Sequence, residues 1–420
     1  MQRVERHIVI KTNPNWKQID KLAFATKNLY NKANYVVRQT FFQTSKEVLE
    51  GLRERAIWVR FPELDKLAKQ EKWEEYRELP AATSQQTLRL LERNWKSFFN
   101  SIKTFKINGC LGRPKLPNYK DKTNGRSTII FTGQQCPLKD GYIYFPKMVN
   151  LCPIKTNQKC IKQVRIIPRA TCYVIELVYE KEVMKYDLDE SLFIGIDIGL
   201  NNLMTVTSNE IGENPFIING GPLKSLNQYF NKMKALYQSY VGDRGTSNRI
   251  LSLLHKRNNR VQNYLHHASR FIIDYCIDHS VGNIVIGKND GWKNGINIGK
   301  RNNQNFVQIP FQTLINQIQY KAEEIGINVQ ITEESYTSKA SFLDKDNLPI
   351  YEEGKKHIFS GKRIKRGLYK SKSGQLINAD VNGSLNILRK VIPNLFSDGI
   401  EGLGLIPVKI SVLNFNKGFK

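Results

Sequence analysis

Acidic residues are the scarce class in this chain. Asp and Glu total 38 against 64 Lys and Arg over 420 residues, a formal net charge of +26. So large an excess is not the by-product of an ordinary soluble surface; it implies a polyanionic partner, either nucleic acid or an anionic membrane. Long apolar runs are missing too. No stretch of 18 or more apolar residues occurs, which excludes a membrane-spanning helix. The opening Met1 to Arg6 is not followed by the apolar segment of a signal peptide. No basic amphipathic helix with a wide apolar face stands out, so nucleic acid is the stronger reading. Paired cysteines are also lacking. Cys110, Cys136, Cys152, Cys160, Cys172 and Cys276 are scattered, with no Cys-x-x-Cys and no histidine at ligand spacing. Neither disulfides nor a structural zinc site is expected, and the chain reads as cytoplasmic.

With acids so few, their placement carries weight. In Phe193-Ile194-Gly195-Ile196-Asp197-Ile198-Gly199 the isoleucines alternate with Gly195, Asp197 and Gly199. That is strand periodicity, with the isoleucines on one face and Asp197 on the other. Leu203 to Thr207 and Phe216 to Ile218 supply two further strands. A carboxylate inside a buried strand is costly unless its charge is compensated, and a divalent cation is the natural partner. The competing reading is an Asp that hydrogen-bonds a nearby turn.

The N-terminal half begins with a strand at residues 7 to 11 and continues as helix to about Phe105. Ile19, Leu22, Ala23, Thr26, Leu29 and Tyr30 fall at helical spacing, as do Leu88, Leu91, Trp95 and Phe98 after a cap at Thr83 or Ser84. Gly112 to Lys120 is a Pro-rich basic loop in which Arg113 and Lys115 suit phosphates and Tyr119 suits a base. Short β-segments between Ser127 and Glu182 are spaced as in a small barrel, with residues 7 to 11 completing it.

Beyond these three strands lies a helical stretch from about Ser225 to His279, carrying Arg257 and Arg260 as candidate nucleic-acid contacts. A strand at Asn283 to Lys288, a helix at Phe311 to Gly326 and a strand at Asn328 to Glu334 follow. Gly361 to Lys372 holds six cations in twelve residues, Lys362, Arg363, Lys365 and Arg366 among them, and suits backbone phosphates. Asp380 opens a helix, Val381 to Val391, where its carboxylate could serve as a cap.

Asp197-x-Gly199-x-x-Asn202 and Asp380-x-Asn382-x-x-x-Asn386-Ile387 resemble the opening and closing motifs of RuvC-type nucleases. Their order and separation, with Tyr336-Thr337-Ser338 between them, resemble the TnpB (OrfB) proteins of insertion sequences, relatives of type V CRISPR effectors. The resemblance implies an α/β multidomain chain. An RNase H-like (RuvC) domain would span 190–395, with a basic insert at about 335–377. A wedge β-barrel would span 1–13 and 106–185, a helical recognition insert 14–105 and a tail 396–420. It implies a Mg²⁺-dependent DNA endonuclease, with Mn²⁺ a possible substitute. A guide RNA made from the transposon end would direct it to double-stranded DNA, in a prokaryotic cytoplasm or nucleoid, as monomer or homodimer.

Two departures stand out. The four cysteines of the family's zinc ribbon are absent. The Glu that commonly ends the fourth core strand is replaced by Gly287. The neighbouring strand ends in Glu333-Glu334, and adjacent strand ends lie close, so a relocated acid is expected. Glu334 is favoured because it opposes Val329 and Ile331, with Glu333 the alternative. On this reading Asp197, Glu334 and Asp380 hold two Mg²⁺ ions. Two other readings stay open: a nuclease-dead, RNA-guided DNA-binding repressor, and a transposase acting without RNA.

Overall fold

A computed structural model of the chain describes residues 1–108, 112–242, 245–289, 299–352, 354–397 and 399–412. Cys110 lies outside the described residues. The chain divides into two compact units, Met1–Lys181 and Glu182–Lys420.

In the first unit, β1 (Gln2–Val9) leads into α1 (Trp16–Leu49), α2 (Phe61–Gln70), α3 (Glu74–Arg77) and α4 (Ala81–Asn108). The helical stripes read from the sequence become core: Ile19, Leu29, Leu88, Leu91 and Trp95 are fully buried. Trp95 stacks on Trp58 and donates its indole N–H to Asn34 Oδ1 at 3.0 Å, which satisfies the polar edge of a buried ring. Thr83 and Ser84 do not cap α4. The helix starts at Ala81, and Ser84 instead donates its hydroxyl to the Tyr76 carbonyl.

β2 (Ile129–Thr132), β3 (Leu138–Lys139), β4 (Tyr142–Ile143), β5 (Ile154–Lys155), β6 (Gln163–Pro168) and β7 (Tyr173–Glu180) complete the unit. Among the described residues these strands form two separate antiparallel sheets, β1-β7-β6-β2 and β3-β4-β5, rather than one closed ring. The strand segments were legible, but closure depends on which edges pair, and spacing along the chain does not fix that.

The second unit holds β8 (Asp189–Ile198), β9 (Asn202–Ser208), β10 (Phe216–Asn219), α5 (Gly221–Val241), α6 (Asn248–Asp278), β11 (Val281–Gly287), α7 (Lys300–Gln308), α8 (Phe311–Ile325) and β12 (Asn328–Thr332). β13 (Lys362–Lys365), β14 (Leu368–Lys370), β15 (Leu376–Asn378), α9 (Ala379–Val391) and β16 (Val408–Ile410) follow. The main sheet runs β12-β11-β8-β9-β10-β16. β8, β9 and β10 form an antiparallel meander, while β11 and β12 add parallel on the other side of β8. Three meander strands followed by two parallel strands beside the first is the RNase H-like arrangement. The tail at 396–420, which gave no sequence signal, adds β16 parallel to β10.

Strand alternation sorts the two faces. Ile194, Ile196, Ile284 and Ile286 join α6 and α8 in one core, whereas Val285 packs on the other side with Leu385, Ile387 and Leu388 of α9. Gly195 and Asp197 therefore face α9. The helix lies directly on β8: Ser384 donates its hydroxyl to the Gly195 carbonyl at 2.8 Å and lies 2.9 Å from the Thr207 hydroxyl. A Cβ on Gly195 would stand 2.7 Å from the Ser384 carbonyl oxygen and 2.8 Å from Leu388 Cγ.

The insert between β12 and α9 is tied by polar groups. Ser341 donates its hydroxyl to Asp344 at 2.6 Å and its backbone N–H to Asp346 at 2.8 Å, and Asp346 also takes the Ser360 N–H at 3.1 Å. Lys372 N–H closes onto Asp344 at 2.8 Å.

Because the obstacle at Gly195 includes backbone, Gly195→Ala should destabilise the unit by about 1–3 kcal/mol. Urea unfolding should show a lower midpoint at unchanged slope. An unchanged midpoint would mean that α9 does not sit this close.

Candidate active site

Asp197 is the fifth position of the stretch that begins at Phe193, and β-sheet register fixes its neighbours. It pairs with Thr205 of β9 on one side. On the other, Ile286 pairs with Ile196, so Gly287 is the next position along β11, beside Asp197. A side chain at 287 would share the Asp197 face. That space is filled: a Cβ there would meet Ile387 Cδ1 at 2.4 Å and Glu334 Oε2 at 3.0 Å. The Glu334 carboxylate thus reaches in from beyond β12 to the place a residue at 287 would occupy. Its backbone N–H is held by Asn289 Oδ1 at 3.0 Å.

Glu333 points elsewhere. It accepts from the Ser335 N–H at 2.7 Å and forms an ion pair with the almost buried Lys390 of α9. Of the two adjacent acids, Glu334 is the one coupled electrostatically to Asp197.

Asp380 arrives on the first turn of α9. It does not cap the helix. Asn378 does, accepting from the N–H groups of Asp380 and Val381 at 2.9 and 3.2 Å. The Asp380 carboxylate is left to accept from Asn202 Nδ2 at 2.6 Å and Arg363 Nη2 at 3.0 Å. The Asn of the first motif therefore holds the Asp of the last. Asn382 and Asn386 are fully buried and serve the insert. Asn382 accepts from the Phe342 N–H at 2.9 Å and donates to the Ala340 carbonyl at 2.8 Å. Asn386 donates to the Thr337 and Ala340 carbonyls.

Asp197, Asn202, Arg363, Arg366 and Asp380 line a cleft of about 310 Å³; Glu334 lies outside that lining. Asp197 is only half-buried by surface area and lines the cleft, yet protein surrounds it densely. Burial, then repulsion from Glu334 and Asp380, pushes its carboxyl up to about 8, against the opposing pull of Arg363. Burial and the Glu333 charge push Glu334 up to about 7, opposed by Lys390. Glu334 ionises first, and its charge then helps hold the proton on Asp197.

The donor set fits a divalent cation. It comprises three carboxylates of which two resist ionising without a counter-charge, and glycines leave room at the site. A Cβ on Gly383 would stand 3.0 Å from Asp197 Oδ2. The three acids are not drawn into one tight ligand set, and the Arg363 guanidinium supplies positive charge at Asp380. A tighter donor group, Glu210, Glu213 and His279, with donor atoms within 4.8 Å of one another, sits elsewhere, after β9 and at the end of α6. Nothing in the sequence spacing pointed to it.

The other candidate residues are placed as follows. Lys362, Arg363 and Lys365 form exposed β13, with Arg366 in the next turn. Arg257 is a strut: its guanidinium donates to Asn227 Oδ1 at 2.7 and 2.9 Å and to the Gln308 carbonyl at 2.6 Å. Arg260 is exposed. In the first unit the loop bearing Arg113, Lys115 and Tyr119 is clamped to α1. Asn34 and Arg38 both donate to the Pro117 carbonyl, and Arg38 lies 4.7 Å from the Tyr119 ring centre.

Fold and site together define an RNase H-like domain with an acid on its first strand and another on its last helix. The model of the probable transposases called OrfB_IS605 matches residues 176–293, and that of the Cas12f1-like TNB domain matches 311–387. The chain is 22% identical over 445 residues to the TnpB-like protein ORF457 of Acidianus two-tailed virus, covering 91% of this chain and 86% of that one. Among solved structures it is similar to Cas12f1 in a complex with sgRNA and target DNA (TM-score 0.47, 14% identity, 87% of this chain and 82% of that one). It is also similar to the mini-RNA-guided endonuclease CRISPR-Cas_phi3 (TM-score 0.37, 10% identity, 93% and 92%). The two family models and the TnpB-like relative support a kinship with the TnpB/OrfB proteins.

Both raised carboxyls have a sign consequence for the metal-free chain. The folded state holds protons that the unfolded state has released, from about pH 4 upward. Their contribution is fully present below the unfolded value and is lost as pH rises through about 7 for Glu334 and about 8 for Asp197. In EDTA, the wild type should lose thermal stability relative to Asp197→Asn as pH rises across that window, and added Mg²⁺ should reverse the loss. Parallel Tm profiles for the two proteins would contradict this.

Proposed function

We propose that this chain is an RNA-guided DNA endonuclease, with Asp197, Glu334 and Asp380 as its metal-binding acids. The observation that carries the reading is the Glu334 carboxylate seated over Gly287, beside Asp197. It restores an acid to the face from which the sequence position had lost it. That seat favours a working nuclease over a nuclease-dead binder.

The three acids would hold Mg²⁺, which supplies Lewis-acid activation of water and charge stabilisation for phosphodiester hydrolysis. The chain's own groups have separate tasks. Asp197 and Glu334 must give up their protons when the site is loaded. Asn202 orients Asp380 through its amide. Arg363 and Arg366 bring two guanidiniums into the cleft, where a phosphodiester would meet them. Arg363 already pairs with a carboxylate there, so an incoming phosphate and Asp380 compete for it. Lys390 holds Glu333 aside, which keeps Glu334 alone facing Asp197.

The likeness to the TnpB/OrfB proteins supports the partners: a guide RNA from the transposon end, and double-stranded DNA read by base pairing rather than by the protein. The net charge of +26 serves both polyanions.

The test is RNA recovery followed by cleavage. The purified chain should carry RNA, and with a matched duplex and Mg²⁺ it should cut. Asp197→Ala, Glu334→Ala and Asp380→Ala should each lower the cleavage rate at least about a hundredfold while leaving duplex binding in place. Glu333→Ala should cost far less. Absence of bound RNA would remove the guided reading, and full cleavage by Glu334→Ala would remove the relocated acid.

A further inference from the structure

The turn after β9 and the end of α6 bring Glu210, Glu213 and His279 together, with one donor atom of each within 4.8 Å of the others. The place is apart from the acid-lined cleft. Asp197 pairs with Thr205, whereas Ser208 pairs with Ile194. Glu210 therefore lies beyond the opposite end of the β8–β9 pair, at least about 10 Å along it from Asp197. Gly212, at φ +90°, lets the chain reverse between the two glutamates.

Negative charge at this spot is left uncompensated. Elsewhere in the same unit acids find cations: Asp380 pairs with Arg363, and Glu333 with Lys390. Among the described residues neither Glu210 nor Glu213 pairs with a lysine or arginine, in a chain with 64 of them. Glu210 Oε2 is buried and accepts no hydrogen bond. A buried carboxylate oxygen without a donor is costly and calls for a positive partner. The other two side chains are held ready. His279 turns Nδ1 to Glu213 Oε1 at 3.6 Å, and its ring stacks on Tyr275 one helical turn earlier, with ring centres 4.2 Å apart. Tyr275 donates its hydroxyl to the second Glu213 oxygen at 3.2 Å. One aromatic side chain thus orients both an imidazole and a carboxylate, as residues behind metal ligands do.

We infer that Glu210, Glu213 and His279 form a metal site of their own, for a zinc-like divalent transition ion. Two carboxylate oxygens and one imidazole nitrogen make three protein ligands, and water would complete a tetrahedron. The imidazole favours Zn²⁺ over Mg²⁺ and Ca²⁺, which take oxygen ligands. Ligands about 2.1 Å from an ion stand roughly 3.4 Å apart, so the donors close in by about an ångström. The Glu213 and His279 side chains, each 31% exposed, have the freedom to do so and leave the ion an entry path. Bound there, the ion would clip the β9–β10 turn to α6. The inference does not rest on the cleavage reading, since no acid of that site takes part.

The test uses the full chain stripped of nucleic acid and metal, carrying Asp197→Ala and Asp380→Ala so that the cleavage acids take up no ion. Zn²⁺ titrated against a chromophoric chelator should bind at one equivalent, and Tm should rise with Zn²⁺ but not with equal Mg²⁺. Adding Glu210→Gln or His279→Ala should weaken Zn²⁺ binding at least about tenfold and abolish the rise in Tm. Co²⁺ in place of Zn²⁺ reports the donor set with the triad intact: visible bands without a thiolate charge-transfer band support it. A thiolate band would put the ion on a cysteine and overturn the inference. Absence of stoichiometric binding would also overturn it, leaving a plain imidazolium–carboxylate pair, and so would unchanged affinity in both variants. Because the cleavage acids are removed throughout, none of these outcomes bears on the cleavage reading.

Discussion

The close seating of α9 on β8 is the contact on which the second unit depends. At Gly195 the strand has no side chain, and Ser384 spans the gap to its carbonyl. Two residues along β8, Asp197 emerges on the same face. Four residues before Ser384, Asp380 emerges from the helix, on the turn nearest Asn202. Two acids 183 positions apart, the difference between 380 and 197, thus face a common cleft because one glycine lets a helix approach. Charge repulsion works against this assembly, and burial sharpens it. Arg363, Asn202 and Lys390 offset part of that repulsion from three different elements.

The motif asparagines act in the same scheme. Asn202 belongs to the first motif and grips the last acid. Asn382 and Asn386 belong to the last motif and grip the loop carrying Thr337, Ala340 and Phe342. Motifs that look like separate signatures along the chain are donors and acceptors for one another. The Ser341, Asp344, Asp346 and Ser360 network holds the insert by hydrogen bonds to backbone and hydroxyl groups.

Much of this was legible in the residues because periodicity is local. The isoleucine alternation of β8 put Asp197 on its own face, and the stripes of α1 and α4 named their core. What was illegible depended on partners distant in sequence. Arg257 reads as a free cation until Asn227 and Gln308, from other helices, enclose it. Asp380 reads as a helix cap, but Asn378 two residues earlier takes that task. β16 is three residues in a Gly-rich tail, too short to show a period, and it is defined by the β10 edge it joins. Whether the N-terminal strands close into a barrel was illegible for the same reason, since edge pairing is a property of the folded sheet.

The occupied space over Gly287 couples three positions that lie far apart in the chain. Ile387 and Glu334 together fill the volume that any larger residue there would need. A longer side chain on β11 at this position would displace the ends of both, and shortening Glu334 would empty the seat. Any side chain added at 287 must therefore be matched by a shift of Ile387 or of the Glu334 carboxylate.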